Sequence, residues 1–453
     1  MKEIFQRHTG GTVLFLGRLT HFTPQELAHF VEAQGMCYAD HYEGQEVALL
    51  VLSSMLTPAE EQTSYDLYAA GVPDVTLESF ERYYTTHLNP QGLLMSLKLS
   101  QDQDRLKRLL GNEAFEDTFF LKLFMLFDWK GEGIHDCDAN RDVTISFVKR
   151  FFRPDGFRDP AMVYAPTTVM IIAKDSRDPQ VLEAILSMPN HEIKISRYEQ
   201  RKPRNLREAV AFNPAVTSTI IRKLMAYNDR GVDYFLASNP ALEAEALTRL
   251  YHRADEATKQ MMAHNEALPD SLFSMLLEAS EEIQKSLLVH QPMSEERIAA
   301  LLSHPWIEMI GYNPTIAEAV PQLFALEQHA LDLALASNTA VSQSYLEKLY
   351  LRHGERIAVA LAANPNLSAQ MAASLYERNT TGVREVLAAN PATPKVILQS
   401  LCEAEDPQLN RALASNPSVD LYWLRQFQLD TSLVRILAEN PTYGNDILRG
   451  LGL

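Results

Sequence analysis

The sequence predicts a multidomain chain: a small α/β domain at the N-terminus, then a helical connector, then an all-α, right-handed superhelical solenoid of ~26-residue repeats. Three observations predict it. First, an asparagine, most often in an Asn-Pro pair, returns at Asn213, Asn239, Asn265, Asn313, Asn338, Asn364, Asn390, Asn416 and Asn440, with Gln291 in the remaining slot. The gaps are 26, 26, 26, 22, 25, 26, 26, 26 and 24 residues, a register that chance does not produce. Second, apolar runs of strand length alternate with amphipathic runs between residues 12 and 86. Third, 453 residues are too many for one ordinary compact core. The expected divisions are residues 1–90, 91–145 and 146–453.

In chain order, TVLFL (Thr12 to Leu16) reads as a strand, Gly17 as a turn, and TPQELAHFVEAQG as a helix closed by Gly35. VALLVLSS (47 to 54) is short and bounded enough to be a buried strand, followed by a helical AEEQTSYDLYAAG, a short PDVT and a helical ESFERYY. The order β-α-β-β-α-β-α implies a small sheet with helices on both faces.

That order, with LGRLT after the first strand, AQG at the first helix end and AAGVPDVTLESFERYY at the close, resembles a BRCT domain over residues 10 to 86. The phosphopeptide readers of that family use a Ser or Thr beside the first glycine and a Lys opening the second helix. Here Leu16 precedes Gly17, Thr20 is displaced, and AEEQTSY carries no lysine. Four basic residues against twelve acidic ones give residues 1 to 90 a charge of −8, which also opposes binding to DNA ends. The resemblance then implies a protein-binding or dimerising version, or a structural cap.

Between about residues 87 and 145, FLKLFMLFDW is dense in aromatic side chains, as a segment sealing the open apolar end of a stack must be. In the repeats, an aliphatic residue or Met stands three before the slot (Val210, Leu236, Leu361, Leu387) and a small residue two before it (Ala211, Ala237, Gly311, Ala362, Ala388). The first faces inward, and the second lets the neighbouring repeat approach. Proline then ends the helix, forcing the preceding asparagine out of the α region, where its amide ties freed backbone groups. Thr217, Ser342, Ser368 and Asp420 read as caps of the second helix, with Thr393 one position early. Fainter repeats around Pro166 and Pro189 place the start of the array near residue 145, for eleven or twelve repeats in all.

NPATPKVILQSL, NPAVTSTIIRKL and NPNLSAQMAASL resemble the leucine-rich repeat variant family, whose units pair a short helix with an α-helix around such a turn. Some members carry a cysteine-ligated iron–sulfur cluster. The three scattered cysteines here, Cys37, Cys137 and Cys402, do not make one, and no cofactor is expected.

Composition narrows the class. With 46% hydrophobic and 22% charged residues and no apolar run near 20 residues, the chain reads as a folded protein outside the membrane. Few cysteines and no signal-like start favour the cytoplasm. The net charge of −17 repels phosphate backbones at long range.

Three segments stand outside the pattern. HDCDANRDVT places Asp136, Asp138, Asn140 and Asp142 at alternating positions like the opening of a calcium loop, but Arg141 and Phe147 replace the required glycine and glutamate. The plain reading is a turn in which Asp142 or Asn140 caps the next helix, and no metal is expected. KISRYEQRKPRNLR gathers Lys194, Arg197, Arg201, Lys202, Arg204 and Arg207 into a basic loop. Such a loop holds phosphates or an acidic peptide, or is simply solvated. Trp306 sits where the gap falls to 22, either as a binding anchor or as filler for the irregularity. No nucleotide loop, GxSxG elbow or HExxH helix occurs. The expected function is therefore a non-enzymatic scaffold for a protein or peptide partner, with the basic loop and Trp306 as anchors. The alternatives are a DNA-repair-type nucleic-acid binder and a solenoid enzyme resembling the helical-repeat DNA glycosylases.

Overall fold

The computed structural model describes residues 5, 10–152, 165, 167–193, 202–378 and 382–450. It is mostly helical with a four-stranded parallel sheet near the N-terminus, and it divides into two compact parts, residues 1–242 and 243–453.

The first part begins with β1 (Thr12–Leu16), α1 (Pro24–Ala33), β2 (Cys37–Ala39), β3 (Val47–Leu52), α2 (Pro58–Ala69), β4 (Asp74–Thr76) and α3 (Leu77–Thr85), the order expected. The sheet runs β2-β1-β3-β4, every neighbour parallel. Its central strands read as unbroken apolar runs because helices cover both faces: Val13, Leu14, Leu49 and Leu50 are fully buried. The edge strands have three residues each, which limits the exposed ladder. Thr23 with Glu26 and Thr57 with Glu60 form capping boxes that start α1 and α2. Gly17 lies at φ +88°, and a Cβ there would stand 2.4 Å from the Met55 carbonyl oxygen, so no other residue fits the exit from β1. Phe80 of α3 closes the core edge-on to Phe5, Phe15 and Phe30.

Helices α4 (Pro90–Ser100), α5 (Gln103–Leu110), α6 (Asp117–Phe124) and α7 (Asp138–Phe151) follow. The Arg105 guanidinium binds the Glu26 carboxylate at 2.6 Å and pins α5 to α1. Phe120, Phe124 and Phe147 are fully buried, and α6 packs on the helix Pro179–Ile185. The acidic alternation at 136–142 dissolves into four separate jobs. Asp136 accepts from the backbone of Glu132 and Gly133, Asp138 pairs with Arg141, Asp142 pairs with Lys107, and buried Asn140 donates to the carbonyls of Lys130 and Gly133. The cap of α7 is neither Asp142 nor Asn140 but Cys137, whose Sγ accepts the Asn140 N–H. The helix begins at Asp138, so both expected caps already lie inside it.

Beside that turn, the Nε2 of His135 is buried without a hydrogen-bond partner, with His191 edge-on at 6.3 Å. Burial, more than any neighbouring charge, holds both imidazoles below their usual range. A histidine depressed in the folded state contributes stability above its ordinary value and loses it as the pH falls through the folded one. Melting measured from pH 8 down to pH 5.5 should therefore drop in the wild type and drop less in His135→Gln; equal slopes would refute this account of the pair.

Further helices in the first part are Thr168–Asp175, Pro179–Ile185, Leu206–Phe212, Ser218–Ala226 and Arg230–Ala237. The corner gripped by Asn213 runs from Ala173 to Ser176, between the two prolines thought to mark the faint repeats. Thr168–Asp175 ends there, 37 residues before Asn213; Pro166 lies outside the described residues.

The second part repeats one local arrangement. Helices Glu281–His290, Ile307–Ile310, His329–Ser337, Ala358–Ala363, Val383–Ala389, Pro407–Ser415 and Val434–Glu439 each touch the next in this series. A second helix, such as Gln343–His353, Ala369–Arg378, Lys395–Glu403 or Leu421–Phe427, lies between successive members in sequence. Ser368 and Asp420 cap as expected, and so does Thr217 in the first part. Ser342 makes no cap bond, and Thr393 instead donates its hydroxyl to the Leu387 carbonyl, because Pro394 occupies the cap position.

Candidate functional site

The recurring asparagine is a buried connector. The Asn390 carboxamide donates to the carbonyls of Ala362 and Asn364, 28 and 26 residues earlier, at 2.7 and 2.9 Å, while its oxygen accepts the Ala392 N–H. Asn338, Asn364, Asn416 and Asn440 repeat all three bonds, each gripping the asparagine before it. Asn313 does the same on Leu288 and Gln291, and in the first part Asn239 does so on Ala211 and Asn213. Gln291 reaches Ala263 and Asn265 with its longer side chain, and there the Met293 N–H is taken by the Thr315 hydroxyl of the following corner. These asparagines are thus buried and bonded to backbone carbonyls far back in the chain. Proline is not essential to the geometry: Asn338 precedes Thr339 yet holds φ −83°, ψ 129°, close to the φ −80°, ψ 117° of Asn390.

Of the expected anchors, Lys194, Arg197 and Arg201 lie outside the described residues. Lys202 and Arg204 are exposed in the first part. Arg207 is half-buried with its guanidinium 3.8 Å from the Tyr227 ring centroid, a cation–π stack that takes it out of a free basic patch. Glu208 is 8% exposed and accepts from the Arg204 N–H and the Asn205 side chain; burial pushes its carboxyl above the usual range. Trp306, in the second part, is half-buried under the Lys285 ammonium at 4.0 Å. The Trp306 ring is therefore covered by a neighbour rather than presented bare.

Sequence reasoning missed the surface that is presented. Val396 and Tyr422 are 77% and 62% exposed, and each stands six residues after its slot, Asn390 and Asn416. A groove of about 340 Å³ beside them is lined by Leu398, Cys402, Val419, Tyr422 and Trp423, with Lys395 and Asp420 at its polar edge. The Cys402 thiol, 2% exposed, is pushed up to about 12 mainly by burial, so it lines the groove as an apolar group rather than a nucleophile. The signal was available: the sixth position is polar at Thr219, Glu245, Ser271, Arg297, Ser344, Gln370 and Asp446. Val396 and Tyr422 break that pattern at exposed positions, whereas Ala319, also apolar, is 2% exposed; apolar contact with hydrogen bonding at one rim is the chemistry of peptide recognition.

In the N-terminal domain, the Gly17 N–H donates to the Glu60 carboxylate at 3.1 Å. Glu60 is held below the usual carboxylate range chiefly by its bonds from Thr57. The Gly17 N–H is therefore already engaged by a carboxylate. Among the described residues no group of three or more metal-ligating side chains occurs, and no helix is long and apolar enough to cross a membrane. In comparisons with known proteins, no family model matches the chain, and no curated protein or solved structure matches it.

Proposed function

We propose that the chain is a non-enzymatic interaction scaffold, with a BRCT-like N-terminal domain, a helical connector and an α-solenoid of leucine-rich-repeat-variant-like units that recognises a protein or peptide partner. The observation that carries this reading is the chain of carboxamide bonds from Asn313 to Asn440, which fixes each corner to the one before it and leaves the second helices free to vary outward. The groove between Lys395–Glu403 and Leu421–Phe427, flanked by Val396 and Tyr422, is the surface this reading assigns to the partner. The Glu60 carboxylate on Gly17 favours a protein-binding or structural role over phosphopeptide reading for the first domain.

The test is quantitative capture of a partner by the intact chain and by Val396→Glu/Tyr422→Glu. Both substitutions replace exposed side chains, so melting should stay within about 0.5 kcal/mol of wild type while capture falls at least about tenfold. Undiminished capture by the variant, or none by either protein, would count against the scaffold. Retardation of DNA or RNA at low salt that is lost in Lys202→Glu/Arg204→Glu would favour the nucleic-acid reading instead.

A further inference from the structure

A cavity of about 520 Å³ opens beyond the carboxyl ends of the strands. Leu52, Ser53 and Ser54 enter it from the end of β3, Thr76 from the end of β4, and Thr20 and His21 from the segment leaving β1. The strand order β2-β1-β3-β4 sends the chain to one side of β1 and then to the other, so β1 and β3 flank the switch point. Open parallel sheets hold ligands at that place, because neighbouring loops diverge there and leave a crevice.

The wall of this crevice is built around a buried charge. Glu81 on α3 is 2% exposed and accepts from the Thr20 hydroxyl at 3.2 Å, the His21 backbone N–H at 3.2 Å and the His21 ring Nδ1 at 2.6 Å. A carboxylate only accepts, so Nδ1 carries the ring proton, and in that tautomer Nε2 is an acceptor. Nε2 makes no hydrogen bond to the described residues, and the side chain remains 26% exposed on the cavity wall. Of the other charged side chains lining the cavity, the Arg82 guanidinium is held by Glu78 at 3.2 Å, and Glu113 is exposed. Leu52, Leu77 and Ala114 supply the apolar remainder.

We propose that this cavity binds a small organic cation, an alkylammonium or guanidinium group on a short carbon chain. Its N–H groups would donate to His21 Nε2 and the wall hydroxyls, its charge would be met by Glu81 and Glu113, and its methylenes would lie on Leu52 and Leu77. An anion would meet three carboxylates, Glu78, Glu81 and Glu113, against the one guanidinium of Arg82, which Glu78 already holds. The same chemistry arrives either as a free polyamine or as a lysine or arginine side chain of a peptide. The inference stands independently of how the repeats are read.

The experiment titrates the full chain at low salt with putrescine, with an acetylated and amidated Ala-Lys-Ala peptide, and with acetate as the anion control. Heat is recorded by calorimetry, and the His21 ring by nitrogen NMR assigned through His21→Gln. A cation should shift the His21 Nε2 resonance, and affinity should fall about fivefold in Glu81→Gln and about threefold in Glu113→Gln. Putrescine binding points to a free amine, and binding of the peptide alone to a partner's side chain. Glu113 is exposed, so its variant keeps the test decisive where Glu81→Gln melts early. A His21 resonance that neither cation moves, affinity unchanged in Glu113→Gln, or acetate binding as tightly as putrescine would each overturn the proposal.

Discussion

Asn390→Asp should destabilise the segment from Val383 to Asn416 more than any conservative substitution elsewhere in it, by about 4 kcal/mol. The change keeps the shape but removes both donors. The new carboxylate oxygen would face the carbonyls of Ala362 and Asn364 at distances now set by hydrogen bonds of 2.7 and 2.9 Å. The site is 5% exposed, so water does not relieve the repulsion; the same burial favours the protonated carboxyl, which restores only one of the two donated bonds. Asn390→Ala leaves the same carbonyls and the Ala392 N–H unpaired without adding charge and should cost about 3 kcal/mol. Hydrogen exchange of the amides between residues 383 and 416, followed with the far-ultraviolet melt, measures both. An Asp variant as stable as wild type at neutral pH would remove the basis of the account.

Gly311→Val should be the second large effect. Gly311 occupies the slot that alanine fills at Ala336, Ala362, Ala388 and Ala414, two residues before the asparagine. A Cβ there would stand 2.7 Å from the Ala334 Cβ and 3.1 Å from the Leu331 Cδ1, nearer than packed carbons approach. Even Gly311→Ala should cost about 2 kcal/mol, and valine more, because both opposing side chains are fully buried and have nowhere to move. Ala334→Gly in the same chain should return part of the loss from Gly311→Ala, since it removes the closest of the clashing atoms. Urea midpoints of the two single variants and the double variant test this, and strict additivity would show that the contact is not the cause.

The parts of this architecture written in periodicity were legible in advance. TVLFL and VALLVLSS became β1 and β3, because parallel strands covered on both faces must be apolar throughout. The asparagines at 313, 338, 364, 390, 416 and 440 each stand at a helix end bonded to an earlier carbonyl. Whom the asparagine binds was not legible, because a carbonyl 26 residues away comes close only once neighbouring helices pack. The emphasis on proline was misplaced for the same reason. The corner at Asn338 forms before Thr339, so the three hydrogen bonds hold the extended conformation that Pro391 merely favours at Asn390. Phe5 went unnoticed as a core residue, since an isolated aromatic carries no period. The expected anchors were chosen by charge and rarity, and neither reveals a neighbour such as Tyr227 over Arg207 or Lys285 over Trp306. The cavity beside Glu81 joins residues from 20 to 114 and had no sequence signature at all.

The measurement that reaches the central claim most directly compares Asn390→Ala with Pro391→Ala by hydrogen exchange of the amides between residues 383 and 416. If the carboxamide bonds fix each corner to the one before, the asparagine variant loses about 3 kcal/mol of protection and the proline variant less than about 1 kcal/mol. Equal losses, or a larger loss for Pro391→Ala, would contradict the account and return the corner to the proline.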